Sequence, residues 1–125
     1  MTIKEFKENC WIIYGFKKNN ILYGYQIHES TGNLASVDFN WKKILKYRSR
    51  IIGFNHTHLS GLTPSSIDDN TMAGWVKALE KPLICGIRDN KEQSMYLYER
   101  KSNQKISYRP VLFKKTGNLI RIRIW

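Results

Sequence analysis

Ile51-Ile52-Gly53-Phe54-Asn55-His56-Thr57-His58, continued by Leu59-Ser60-Gly61-Leu62-Thr63-Pro64-Ser65-Ser66-Ile67-Asp68-Asp69, runs from an apolar segment through a polar reversal into an acidic helix start. Strand side chains alternate, so His56 and His58 share one face at the end of the apolar run and can grip a single metal ion. A carboxylate from the next segment would make three protein ligands. The open fourth position would take water, which separates a catalytic zinc site from a structural one. The stretch therefore predicts a hydrolytic zinc centre.

Which carboxylate completes the set depends on the helix that follows. Met72, Trp75, Val76 and Leu79 recur at i, i+3, i+4 and i+7, which predicts an amphipathic helix from Ser65 to Glu80, ended by Lys81-Pro82. At about 100° per residue, Ser65 and Asp68 fall within about 30° of the centre of this apolar stripe, while Asp69 lies near 70° and Ser66 farther still. The core-facing pair is thus Ser65 and Asp68. The same Ser-x-x-Asp spacing is also an ordinary capping box, in which the two side chains satisfy free helix N–H groups.

Outward from this unit the chain reads mostly as strands. Cys10 to Gly15 and Ile21 to His28 predict a hairpin around Lys17-Lys18-Asn19-Asn20, with a polar turn over Glu29 to Asn33. Leu34 to Phe39 predicts a third strand, Trp41 to Arg50 a helix, and Ile51 to His58 a central strand that is apolar on both faces. Leu83 to Ile87 and Met95 to Glu99 follow as strands, Ile106 to Arg109 pairs with the latter, and Leu119 to Trp125 alternates Ile120, Ile122 and Ile124 against Arg121 and Arg123. With no internal repeat or linker, residues 1–125 form one α/β or α+β domain around a curved, mixed sheet with flanking helices.

The net charge of +11 implies attraction to something acidic, whether nucleic acid, an anionic surface or an acidic protein face, and says nothing about fold. Lys114-Lys115 and Arg121/Arg123 could form such a patch or a solvated strand face, and Tyr96, Tyr98 and Tyr108 interleave with basic residues as either a base-stacking platform or packed sheet residues would. Cys10 and Cys85 lie in apolar surroundings and read as buried thiols of a reducing compartment. The apolar run from Cys10 to Phe16 is far too short for a membrane span, so a soluble, cytoplasmic protein without membrane partners is expected.

The segment HTHLSGLTPSSIDD resembles the His-x-His, Pro-Ser-x-x-Asp signature of the JAMM (MPN-plus) zinc metalloproteases, especially their compact prokaryotic branch, and its SG-x-TPS portion is similar to RadC-type members. Upstream, Glu8-Asn9-Cys10-Trp11-Ile12-Ile13-Tyr14-Gly15 resembles the strand that carries the family's glutamate, and downstream the helix leads into Lys81-Pro82-Leu83-Ile84-Cys85. The resemblance covers roughly residues 8 to 87. It implies a cytidine-deaminase-like JAMM/MPN architecture, here N-terminally shortened, because the chain starts close to Glu8; one uncovered side of the sheet would then invite self-association or a partner.

Carried onto this chain, the resemblance implies zinc held by His56, His58 and Asp68, with Glu8 as the acid/base and Ser65 stabilising the oxyanion. Counting forward from His58 at the family's common loop length selects Asp69 and Ser66 instead, so both pairs stay open, and Glu29 competes with Glu8 as the base. The implied activity is a zinc-dependent peptidase or isopeptidase acting on the C-terminal tail of a ubiquitin-like or sulfur-carrier protein. The alternatives are a catalytically silent MPN-type binding module and a basic, nucleic-acid-associated RadC-like protein.

Overall fold

Cys10, Ile12 and Tyr14 of the first strand, β1 (Asn9–Lys18), point to one side of a sheet while Ile13 points to the other, the alternation that a two-sided core demands. The structure, a computed structural model, describes residues 9–31, 41–58, 61–89 and 91–124. After β1 come β2 (Ile21–Thr31), α1 (Trp41–Lys46), β3 (Ile51–Thr57), α2 (Ser66–Leu79), β4 (Leu83–Arg88), β5 (Gln93–Arg100), β6 (Ile106–Pro110), β7 (Leu112–Thr116) and β8 (Leu119–Arg123). The eight strands form one sheet in the order β6-β5-β4-β3-β1-β2-β8-β7. Among the described residues only β3 and β4 pair in parallel, because α2 carries the chain back between them; every other pairing there is antiparallel. The result is a single small α+β domain with a mixed sheet.

The connection between β6 and β7 shows why this sheet cannot be flat. They sit at opposite ends of the strand order, yet only Val111 separates them. In a flat sheet those edges would stand about 34 Å apart, roughly five times the about 7 Å that the two steps from Pro110 to Leu112 can span. The sheet therefore curls until its two ends meet at Val111, whose N–H donates to the Met95 carbonyl at 3.0 Å. Ile13, Ile52, Ile84, Leu97, Ile120 and Ile122 fill the inside of the curl. The cross-strand pair Gly15 and Gly24 permits the bend, since a Cβ on Gly15 would lie 2.0 Å from the Tyr23 carbonyl oxygen and one on Gly24 2.7 Å from Ile52 Cδ1.

On the outer face α2 lays the expected stripe of Met72, Trp75, Val76 and Leu79 against Phe54, Cys85, Ile87 and Tyr98, with the Phe54 and Trp75 rings 4.8 Å apart. Both cysteines are buried and neither forms a disulfide. No described helix is long and apolar enough to cross a membrane.

Several boundaries differ from the sequence reading. Glu29 to Thr31 continue β2 where a polar turn is expected, because they pair with the start of β1. Lys17 and Lys18 belong to β1, and the turn is only Asn19-Asn20, with Asn19 in the left-handed region at φ 57°. Helix α1 ends at Lys46, and residues 47–50 turn instead, pinned by Arg50 N–H donating to the Tyr47 carbonyl. The expected strand over Leu34 to Phe39 lies outside the described residues. The edge strand β7 was invisible as a pattern because its Lys114-Lys115 pair reads as a charge patch.

Candidate metal centre

His56 lies near the end of β3, opposite Cys10 of β1 and Ile87 of β4, and is fully buried. His58 is one residue past the strand, but its N–H donates to the Arg88 carbonyl at 2.8 Å, which extends the strand geometry and keeps both imidazoles on one face. Between them, Thr57 Oγ1 accepts from the Asn9 N–H at 2.8 Å and ties the start of β1 to this corner.

The third side arrives with the helix. Ser94 Oγ and Tyr96 Oη both donate to the Leu62 carbonyl at 2.7 Å, anchoring the loop before Pro64 to β5. Ser65 then caps α2: its Oγ accepts from the Asp68 N–H at 3.1 Å, and its own N–H donates to Asp68 Oδ2 at 2.9 Å, a reciprocal capping box. This fixes Asp68 at the first turn with its carboxylate turned to the histidines.

Three contacts close the cluster. His56 Nε2 is 3.1 Å from Asp68 Oδ1, His58 Nε2 is 3.1 Å from Asp68 Oδ2, and the two Nε2 atoms are 3.0 Å apart. Burial pushes the Asp68 carboxyl up, but hydrogen bonds to His56, His58 and the Ser65 backbone outweigh it and hold the group well below the usual carboxylate range, so it is ionised. With an ionised carboxylate, no placement of protons satisfies all three contacts. If both Nε2 atoms carry hydrogen, the two donors face each other. If either lacks one, its lone pair faces a carboxylate lone pair. A cation bound by all three groups removes the conflict. These residues could hold a metal ion.

The environment supports the same use. The His56 side chain is 0% exposed, Asp68 6% and His58 13%, so the cluster is largely shielded from water and His58 is its most exposed member. His56 Nδ1 is buried and has no hydrogen-bond partner among the described residues.

The alternatives separate. Asp69 turns away from the histidines, and its Oδ1 accepts from Tyr98 Oη at 2.5 Å; burial, reinforced by that bond, raises the Tyr98 phenol above its ordinary value. Ser66 is the exposed first residue of α2. Ser65 Oγ is used as an acceptor in the cap, which leaves its proton to donate. Glu8 lies outside the described residues, and Glu29 belongs to β2. The three tyrosines pack: Tyr98 is buried, Tyr96 bonds Leu62, and the Tyr108 ring sits 5.3 Å from one and 5.2 Å from the other.

Sequence reasoning missed Thr57, Ser94 and Tyr96 as the residues that hold the cluster's loop and strand ends in place. Their only signal was position: Thr57 between the histidines, and two hydroxyls two residues apart on one face of β5. No family model matches the chain, and no curated protein matches it.

Proposed function

We propose that the chain is a zinc-dependent amide hydrolase of the JAMM type, with an MPN-like, cytidine-deaminase-like arrangement of strand and helix around the metal. Its substrate is the extended C-terminal tail of a ubiquitin-like or sulfur-carrier protein. The observation that carries this reading is the convergence of His56, His58 and ionised Asp68 on contacts that no protons can satisfy. Zinc suits the donor set of two imidazoles and a carboxylate. Tetrahedral ligands about 2.0–2.1 Å from zinc stand about 3.3 Å apart, and the three separations here are 3.0 to 3.1 Å, so small outward movements would seat the ion.

When bound, zinc supplies Lewis acidity that acidifies water and polarises a carbonyl. The chain's own residues supply the rest. His56 and His58 bind as neutral imidazoles, and Asp68 contributes the negative charge that favours a dication over a monovalent one. In this reading substrate reaches the metal past His58, the most exposed of the three ligands. Ser65, at the mouth of α2, has a hydroxyl proton available to an oxyanion that forms there, in register with the positive end of the helix dipole. Glu8 is the base in this reading, the role that the resemblance to the JAMM signature implies for it. It takes the proton from water and returns it to the leaving amine.

The test is zinc content together with cleavage of linear ubiquitin-like fusions. Wild type should bind one zinc and turn over, His56→Ala should lose both, and Glu8→Gln should keep zinc while losing turnover. Zinc-loaded wild type that cleaves none of these fusions would leave a binding module in place of an enzyme. Full activity in Glu8→Gln would remove Glu8 from the mechanism.

A further inference from the structure

We propose that the outer face of β1, β2, β8 and β7 is a docking surface for single-stranded nucleic acid. The pairing registers lay three rows across these strands: Lys18, Ile21, Arg123 and Leu112; then Phe16, Tyr23, Arg121 and Lys114; then Tyr14, Tyr25, Leu119 and Thr116. With strands about 4.8 Å apart and rows about 6.8 Å apart, the plate measures about 14 Å each way. Aromatic rings collect on the β1–β2 side and cations on the β8–β7 side. Phe16 stacks on Tyr23 at 5.6 Å, Tyr14 on Tyr25 at 6.0 Å, and the Arg121 guanidinium lies 5.7 Å from the Tyr23 ring centre.

This face is open. Phe16 is 61% exposed, Tyr25 47% and Leu119 63%, while their inward neighbours Leu22, Ile120 and Ile122 are buried. Helix α2 packs on β4, β5 and β6 instead. A groove of about 430 Å³ runs between the aromatic and cationic sides, lined by Phe16, Tyr23, Tyr25, Lys114, Leu119 and Arg121.

The pattern selects its occupant. Strands β1, β7 and β8 contain no acidic residue, and β2 only Glu29, so the strands that build the plate bring far more cations than anions to it. An acidic peptide would pair with Arg121, Arg123 and Lys114 but leave the rings wet. A second copy of the chain would bring no anion from its β1, β7 or β8 to Lys114, Arg121 and Arg123. A single strand offers phosphates to the cations and, beside them, unpaired bases to the rings, whereas a duplex hides its base faces. The surface does not use the metal centre, so it stands whether or not the chain is a hydrolase.

Fluorescence anisotropy with a labelled oligothymidylate of about fifteen nucleotides tests this. Binding in about 50 mM salt should weaken with a log–log salt slope of about −2, from about 0.7 per phosphate paired with Lys114, Arg121 and Arg123. The double variant Lys114→Ala/Arg121→Ala should cut the slope magnitude by about 1.4. Phe16→Ala should weaken binding roughly 5- to 150-fold at unchanged slope, because it removes stacking and no charge. Lys91→Ala/Lys105→Ala, with the same charge change elsewhere, should leave affinity intact; unchanged melting temperatures verify the folds. The proposal is overturned by no binding at low salt, by an effect of Lys91→Ala/Lys105→Ala equal to that of the patch variant, or by a Phe16→Ala variant that binds like wild type. Anionic vesicles competing as well as the oligonucleotide, or a dimer in sedimentation that Phe16→Ala dissociates, would equally overturn it in favour of a lipid or a second copy.

Discussion

Asp68→Asn is the sharpest perturbation of the metal centre, because it keeps the side chain's shape and removes its charge. At free zinc 100 times the dissociation constant, a folded-state ligand stabilises by about 2.7 kcal/mol. Unfolding entropy of about 2.1 cal/mol/K per residue gives a chain of this length about 0.26 kcal/mol/K, so the wild-type melting temperature should rise by about 10 °C over the chelated protein. Asp68→Asn loses the anionic ligand. If its affinity falls 100-fold, the same zinc contributes only about 0.4 kcal/mol, a rise of about 1.5 °C. Asp69→Asn should retain the full rise, since that carboxylate is engaged with Tyr98 rather than with the histidines. Calorimetry of the three proteins with zinc and with chelator measures all six midpoints. A zinc response that survives in Asp68→Asn, or disappears in Asp69→Asn, would refute the geometric assignment, and no response in wild type would refute the metal centre itself.

Four further outcomes follow from the contacts. Ser65→Ala removes the cap acceptor for the Asp68 N–H and should cost about 1 kcal/mol, near 4 °C, equally with and without zinc, leaving the zinc-induced rise intact in calorimetry. Tyr98→Phe breaks a charge-assisted bond and should cost about 1.5 to 3 kcal/mol in urea unfolding, with zinc binding unchanged by titration. Phe54→Ala opens a cavity against Trp75 and should cost about 3 to 5 kcal/mol, enough to make the chelated protein marginal at 37 °C by circular dichroism. Because the folded pKa of Asp68 is depressed, its stabilisation is present above the ordinary carboxylate range and is lost as pH falls below about 4; the chelated wild type should therefore lose stability between pH 5 and pH 3 more steeply than Asp68→Asn, and parallel curves would contradict this.

The parts of the fold legible in the sequence were those with a strong period. The stripe from Met72 to Leu79 located α2 to within a residue at each end, and the unbroken apolar run from Ile51 identified β3 as an interior strand. What stayed illegible was set by partners far along the chain. Glu29 to Thr31 are polar and look like a turn, yet pairing with β1 extends them as strand. The edge strand β7 has only Leu112 and Phe113 as apolar residues, and its place at the far end of the sheet follows from closure through Val111, which no local pattern encodes. At the site, alternation was enough to put the two histidines on one face, and helix phase was enough to favour Asp68 over Asp69. The residue that engages Asp69, Tyr98, lies 29 positions away and carries no local sign of the pairing.

The sequence poses capping and metal binding as rival explanations of Ser65 and Asp68, but the geometry makes them one device. A carboxylate has two oxygens with about four acceptor positions, and a cap uses one. Here Oδ2 takes the Ser65 N–H while Oδ1 faces His56, and Oδ2 has capacity left toward His58. The cap therefore orients the ligand: with Asp68 locked to the Ser65 backbone, its oxygens cannot rotate away from the histidines without opening the first turn of α2. Ligation in turn would join the helix start to the end of β3, two elements otherwise linked through a polar loop. Zinc should accordingly slow amide exchange in the first turn of α2, at Ile67 to Asn70, more than at its last turn. Equal protection along the helix would mean that the ion merely stabilises the whole fold, without gripping the helix by its cap.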